Sequence, residues 1–178
     1  MSERTPQEVR DDLLARRRRI REEMGSSDRI ERQHAKGRLT IRERIDRLLD
    51  EGSFMEVGTF ARSERREVRD STPGDGKIGG WGTIDGRPVT VSGDDVTVLH
   101  GSSSVVGGKR SRRIFEQALT QGVPFIYFGE TGGGRLPDAL GSEGFSKIVP
   151  DLISARRARR IPVASAIVGE SFGGSSFQ

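Results

Sequence analysis

Two stretches of this chain follow one plan, and that plan limits the fold more than any other feature. Phe125 to Phe128 is a short apolar run that reads as a buried strand. It runs into Gly129-Glu130-Thr131, then three glycines, Gly132 to Gly134, and Arg135. Glycines after a strand uncover backbone N–H groups and remove each Cβ that would hold a ligand off. Pro162 to Val168 is a second apolar run, ending in Gly169-Glu170-Ser171-Phe172-Gly173-Gly174. Gly129 and Gly169 lie 169 − 129 = 40 positions apart, and each is followed by Glu. Strand, glycine loop and helix thus form an approximate internal repeat. A helix-length crossover between the runs predicts that 123–128 and 162–168 are neighbouring parallel strands. On spacing alone, two ordinary strand-to-helix turns of an α/β sheet account for the pattern equally well.

A chain of 178 residues suits one domain, or one domain with an arm. Its composition, 32% hydrophobic and 31% charged, is that of a soluble protein, and it holds no apolar run long enough to span a bilayer. The N-terminus lacks an apolar signal core, so a cytoplasmic location is expected, with no membrane partner. The absence of Cys excludes disulfides and thiolate metal sites, and two His, His34 and His100, leave little for zinc, so no metal is expected. A formal charge of +4 suits an anionic partner. One Trp and one Tyr make base-stacking platforms scarce, which argues for a phosphate-bearing small molecule over nucleic acid.

The first third predicts helices. Thr5-Pro6-Gln7-Glu8 is a capping box with Pro at the first helical position, and Gly25 stops the helix. Arg16 to Arg19 inside it reads as a solvated face. Ser26 or Ser27 can cap a second helix through Ala35. Thr40-Ile41-Arg42-Glu43 is another capping box, and Ile41, Ile45, Leu48 and Leu49 form the apolar stripe of a third helix that ends at Gly52. That stripe should be buried, whereas the first helix should be more exposed.

Strands are expected next. Phe54 to Phe60 is one candidate, Arg62 to Gly76 reads as a surface loop, and Lys77 to Ile84 and Arg87 to Ser92 flank Asp85-Gly86, a strong hairpin signal. Val96 to Leu99 is a further candidate strand. A helix from about Lys109 to Gln121 points Ile114, Phe115, Ala118 and Leu119 inward, with Gly122 as its stop. Phe145, Ile148, Val149, Leu152 and Ile153 give another helix, irregular at Pro150, with Arg156, Arg157, Arg159 and Arg160 at its end. The chain stops at Gln178, where a helix should follow Gly173-Gly174, so the domain is expected to be truncated or completed by another chain.

Backbone N–H groups at a helix start can hold an anion or a developing oxyanion. Neither glycine run is followed by Lys-Ser or Lys-Thr, and neither matches Gly-x-Gly-x-x-Gly, which argues against nucleotide loops. No Gly-x-Ser-x-Gly elbow is present. These residues fit a site that works through backbone donors.

Several segments resemble one family. Gln33-His34-Ala35-Lys36-Gly37-Arg38-Leu39-Thr40, Arg42-Glu43-Arg44-Ile45-Asp46 and Leu48-Leu49-Asp50-Glu51-Gly52-Ser53-Phe54 resemble the N-terminal signature of the carboxyltransferase (β) subunit of biotin-dependent acyl-CoA carboxylases, of the propionyl-CoA carboxylase type. Gly82 to Val89 resembles that family's first hairpin, Thr131 to Arg135 its Ser-Gly-Gly-Ala-Arg loop, and Gly173-Gly174 the glycine pair of its Gly-Pro-Cys-Ala-Gly-Gly loop. The resemblance covers about residues 32–177.

It implies an α/β, crotonase-like spiral of ββα units, here incomplete: a helical arm over 1–53 and the N-terminal part of a carboxyltransferase domain over 54–178. It also implies an acyl-CoA thioester as substrate and biotin, carboxylated on a partner biotin carboxylase and carrier subunit, as cofactor. A homo-oligomer of the full-length subunit is implied as well. Carried over, Gly173 and Gly174 are the catalytic oxyanion donors, and Gly132, Gly133, Gly134 and Arg135 belong to the CoA site. The chain by itself is expected to be inactive. Leu99 to Ser104, Phe128 to Gly132 and Gly169 to Phe172 depart from the family pattern. Those departures favour a catalytically silent paralogue acting as a structural partner, whereas the retained glycine pair favours the enzyme. The arm signature argues against a biotin-independent crotonase-like hydratase or decarboxylase.

Overall fold

The structure, a computed structural model, describes residues 4–148 and 160–173. Three helices open the chain. Helix α1 (Pro6–Glu23) starts on the expected capping box, in which Glu8 N–H donates to Thr5 Oγ1 and Thr5 N–H to Glu8 Oε2. No residue of α1 is buried, and Val9, Leu13 and Leu14 are about half exposed. Arg16 and Arg19 pair along the helix with Asp12 and Glu23, as a solvated face would.

Helix α2 (Ser27–Ala35) follows Ser26, whose side chain makes no capping bond. Its entry is fixed from elsewhere: Gly25 N–H donates to Thr97 Oγ1 at 3.1 Å, and Arg29 donates to the Thr97 carbonyl at 2.9 Å. Only Gly fits at 25, since a Cβ there would stand 1.8 Å from that carbonyl oxygen. Helix α3 (Ile41–Leu48) has its capping box complete on Thr40 and Glu43. Ile41, Ile45 and Leu49 are buried, with Leu48 packed partly against them.

A five-stranded sheet carries the rest, in the order β1-β2-β3-β4-β5. Strands β2 (Lys77–Ile84) and β3 (Arg87–Asp94) form the expected hairpin, antiparallel about Asp85-Gly86. Asp50 holds the turn: its carboxylate accepts from the N–H groups of Asp85 and Gly86, each at 2.9 Å, and from the Thr83 hydroxyl. Those hydrogen bonds, Thr83 first, then Gly86 and Asp85, keep the Asp50 carboxyl below its usual range. Strand β4 (Phe125–Thr131) pairs parallel with β3, and β5 (Val163–Ser171) parallel with β4. The parallel neighbours expected from the internal repeat are therefore present.

Alternation along β4 divides the core between the two faces of the sheet. Ile126 and Phe128 join Ile78, Val89 and Val91 under α3 and Met24. Phe125 and Tyr127 meet Ile114 and Ala118 of α4 (Val105–Gln121), with Phe115 edge-on to Phe125. Burying an Ile as completely as Ile45 contributes about 2 kcal/mol, and α3 packs its apolar stripe on the sheet, as that stripe requires. Gly122 closes α4 in the left-handed conformation, as expected of a C-terminal stop.

Four expectations are corrected. The strand expected over 54–60 is only β1 (Met55–Glu56), because Gly58 turns the chain at a positive φ and Glu56 is drawn inward by Arg42 and Arg110. The expected strand over 96–99 is a tight turn instead. Asp95 Oδ1 accepts from both the Thr97 N–H and its hydroxyl, and Leu99, His100 and Gly101 are all left-handed. The surface loop expected over 62–76 dips inside: Thr72 and Asp75 are fully buried, since Asp75 has buried partners to meet. Helix α4 begins four residues before Lys109, capped by Ser104, whose Oγ accepts from Gly107 N–H. Two short helices follow β4, α5 (Leu136–Ala139) and α6 (Gly141–Ile148), and α6 contains Phe145 and Ile148. Val149, Pro150, Leu152, Ile153, Arg156, Arg157 and Arg159 lie outside the described residues.

Candidate active site

Both glycine loops leave the same end of the sheet, because β4 and β5 are parallel and adjacent. The loops also touch. Phe172 N–H donates to the Thr131 carbonyl at 3.1 Å, and a Cβ on Gly133 would stand 3.8 Å from the Phe172 Cβ. The structure thus brings Gly132, Gly133, Gly134 and Gly173 to one place, with Gly174 outside the described residues. Gly173 has a φ of +70°, and among the described residues nothing lies within 4 Å of the position its Cβ would take.

The first loop is braced by its own amides. Gly132 N–H donates to the His100 carbonyl at 2.8 Å, Gly133 N–H to Thr131 Oγ1 at 3.2 Å and Arg135 N–H to the Ser103 carbonyl at 2.8 Å. Ser103 N–H in turn donates to the Gly133 carbonyl. Arg135 directs its guanidinium inward, where Nη1 lies 2.6 Å from Asp75 Oδ1 and the residue is 6% exposed. Arg135 therefore anchors the loop from beneath, while the exposed Gly132 and Gly134 present its surface. His100 is exposed beside it.

Below the loop lies a polar cluster. Asp94, buried, accepts from the Tyr127 hydroxyl at 2.9 Å and from Glu130 N–H at 3.1 Å, and pairs with Lys77. Lys77 also donates to the Gly101 carbonyl, and the Thr131 hydroxyl donates to that same carbonyl. A second cluster joins Glu56 to Arg42 and Arg110. Burial would raise the Glu56 carboxyl, but the hydrogen bond and charge of Arg42, helped by Arg110, hold it below the carboxylate range. Burial does raise Asp95, against the opposing hydrogen bond from Thr97.

Sequence reasoning missed these groups. One signal could have found Lys77 and Asp94: Lys77 stands 85 − 77 = 8 residues before Asp85 and Asp94 stands 94 − 86 = 8 after Gly86, so hairpin register pairs them. No comparable signal marks Asp75, whose partner is 60 residues away. The Arg17–Arg18–Arg21 side of α1 borders a separate groove of about 520 Å³ with Arg42, Leu14 and Phe54, and no glycine of the two loops lines it.

Residues 32–178 match the carboxyl transferase domain family. The chain belongs to that family. It is 40% identical over 157 residues to the propionyl-CoA carboxylase beta chain of Roseobacter denitrificans, covering 86% of this chain and 30% of that one. It is 36% identical over 175 residues to the methylmalonyl-CoA carboxyltransferase 12S subunit of Propionibacterium freudenreichii subsp. shermanii, covering 96% and 33%. The solved transcarboxylase 12S structure, a hexamer with methylmalonyl-CoA and methylmalonic acid bound, superposes with a TM-score of 0.86 at 34% identity, over 98% of this chain and 35% of that one. A single-chain long-chain acyl-CoA carboxylase superposes at 0.81 with 30% identity, over 97% and 18%. The fold is accordingly the crotonase-like α/β fold of the carboxyltransferases. The chain spans about 30% of the length of the curated relatives it matches. Among the described residues no helix is long and apolar enough to cross a membrane.

Proposed function

We propose that this chain is the acyl-CoA-binding part of a biotin-dependent acyl-CoA carboxyltransferase. The observation that carries the reading is the pairing of the two glycine loops through Phe172 N–H and the Thr131 carbonyl, which sets an open backbone at Gly173 beside a ligand-accessible loop at Gly132–Gly134. The N–H groups of Gly173 and Gly174 hold the thioester oxygen as the α-carbon loses its proton, so charge develops against backbone donors. Gly132, Gly133 and Gly134, lacking Cβ atoms, let the CoA chain lie against the sheet end, and Arg135 keeps that loop in place through Asp75. Biotin carried on a partner subunit would supply the activated carboxyl group there, while this chain's own part is to hold the thioester and its developing oxyanion.

The relatives are about three times as long, and we assign turnover to an assembly that holds the full-length subunit. That assembly is a cytoplasmic homo-oligomer acting with a biotin carboxylase and a biotin carrier. The test is incorporation of labelled bicarbonate into a panel of acyl-CoAs by such an assembly. Gly174→Pro removes one donor and should lower turnover by about 100- to 1,000-fold, while CoA binding survives. Full activity in that variant assigns the donors to the wrong loop, and carboxylation by the chain alone overturns the division of labour.

A further inference from the structure

Three arm side chains converge on one buried carboxylate. Glu130, 3% exposed at the end of β4, accepts from Gln33 Nε2 at 2.7 Å and from Arg38 Nη1 at 3.4 Å, and Arg44 Nη2 stands 3.7 Å from its other oxygen. With both oxygens engaged, Glu130 is poorly placed to move protons. Its neighbours indicate another task. A Cβ on Gly169 would stand 2.2 Å from Glu130 Oε1, so the carboxylate lies directly against the β5 backbone near its C-terminal end. Arg44 reaches the same segment: its Nη2 donates to the Val168 carbonyl at 3.4 Å, while its Nε is held by the Leu39 carbonyl.

That segment needs holding. The β4–β5 ladder is regular up to Gly129 and Ile167, then resumes at Thr131 and Ser171. One residue on β4, Glu130, is thus opposed by three on β5, a bulge over 168–170 where the regular register is interrupted. The contacts of Glu130 and Arg44 fall on that bulge. We propose that Arg44 and Glu130 are positioning residues of the acyl-thioester site, a buried clamp through which α3 sets the Gly169–Gly173 turn against the Gly132–Gly134 loop. The inference rests on the carboxyltransferase reading above. It also gives the arm signature a physical role, since Gln33, Arg38 and Arg44 all lie in it.

The test uses this chain with Glu130→Gln, which keeps shape and removes charge, Arg44→Lys, which keeps charge and removes the fork, and Arg62→Lys as an exposed control. Calorimetry measures affinity for propionyl-CoA and for free CoA, and amide exchange is followed at 168–173 and across α4. Each clamp variant should exchange about tenfold faster at 168–173 with α4 unchanged, and its preference for propionyl-CoA over CoA should fall by about three- to tenfold, the worth of one hydrogen bond. Faster exchange throughout the chain would make the pair general structural support and overturn the proposal. So would an unchanged preference in both variants. No preference for propionyl-CoA in the unsubstituted chain would instead overturn the carboxyltransferase reading, and the site assignment with it.

Discussion

Arg135 and Asp75 meet across the base of the glycine loop, Nη1 to Oδ1 at 2.6 Å, each with its side chain almost wholly out of water. This contact ties the turn before β2 to the loop after β4. Asp75 adds a second tie, accepting from the Ser104 hydroxyl at 2.6 Å at the start of α4. The residue holds a φ of +49° between Gly74 and Gly76, both also left-handed, so the turn is shaped to deliver its carboxylate. Breaking a buried pair by removing one charge leaves the other uncompensated. Asp75→Asn should therefore destabilise by about 3 kcal/mol in urea unfolding. In the folded remainder, exchange should quicken at Gly132 to Arg135.

Glu56 lies between Arg42 and Arg110, with its side chain 1% exposed. Glu56→Gln should cost about 3–5 kcal/mol at neutral pH. The sign of its pH dependence follows from its lowered folded-state value. A depressed carboxylate contributes stability above its unfolded value, about 4.3, and loses it as pH falls through the lower folded value. Denaturation curves of the two proteins should therefore differ most above pH ~5 and converge in strong acid. A gap that stays constant with pH would show that Glu56 acts by shape alone.

The two capping boxes should behave differently. Thr40 caps a helix whose Ile41 and Ile45 are core, so Thr40→Ala should lower global stability by about 1 kcal/mol. Thr5 caps a helix with no buried residue, so Thr5→Ala should leave global unfolding within about 0.5 kcal/mol while loosening the first turn of α1. Thermal melts and amide exchange separate the two effects.

Gly80 faces the β1 backbone, and a Cβ there would stand 2.0 Å from the Met55 carbonyl oxygen. Backbone cannot yield as a side-chain tip can. Gly80→Ala should push β1 away and cost about 1–3 kcal/mol. Gly86→Ala, with no described residue within 4 Å of its Cβ position and a φ of +74°, should cost only the conformational penalty of about 1–2 kcal/mol. A cost at 80 no larger than at 86 would show that β1 moves aside freely.

What the sequence determined by itself is what neighbouring residues settle among themselves. Thr5 with Glu8, Thr40 with Glu43, Asp85 with Gly86 and Gly122 after α4 each act over three residues or fewer, so their helices and turns could be read directly. The strand–glycine repeat also sufficed for parallel β4 and β5, because handedness and crossover length leave little choice. The tertiary structure alone decided where the charges went. Asp75 finds Arg135 60 residues away, Glu56 finds Arg110 54 away and Glu130 finds Gln33 97 away. A charged stretch such as 62–76 looks like surface until its partners are known, since burying a carboxylate is tolerable only once a cation and hydrogen bonds surround it. Val96 to Leu99 looks like a strand for the converse reason. Val98 is fully buried and Val96 and Leu99 partly so, but Gly25 and Arg29 claim the Thr97 hydroxyl and carbonyl, and Asp95 bends the chain into a turn.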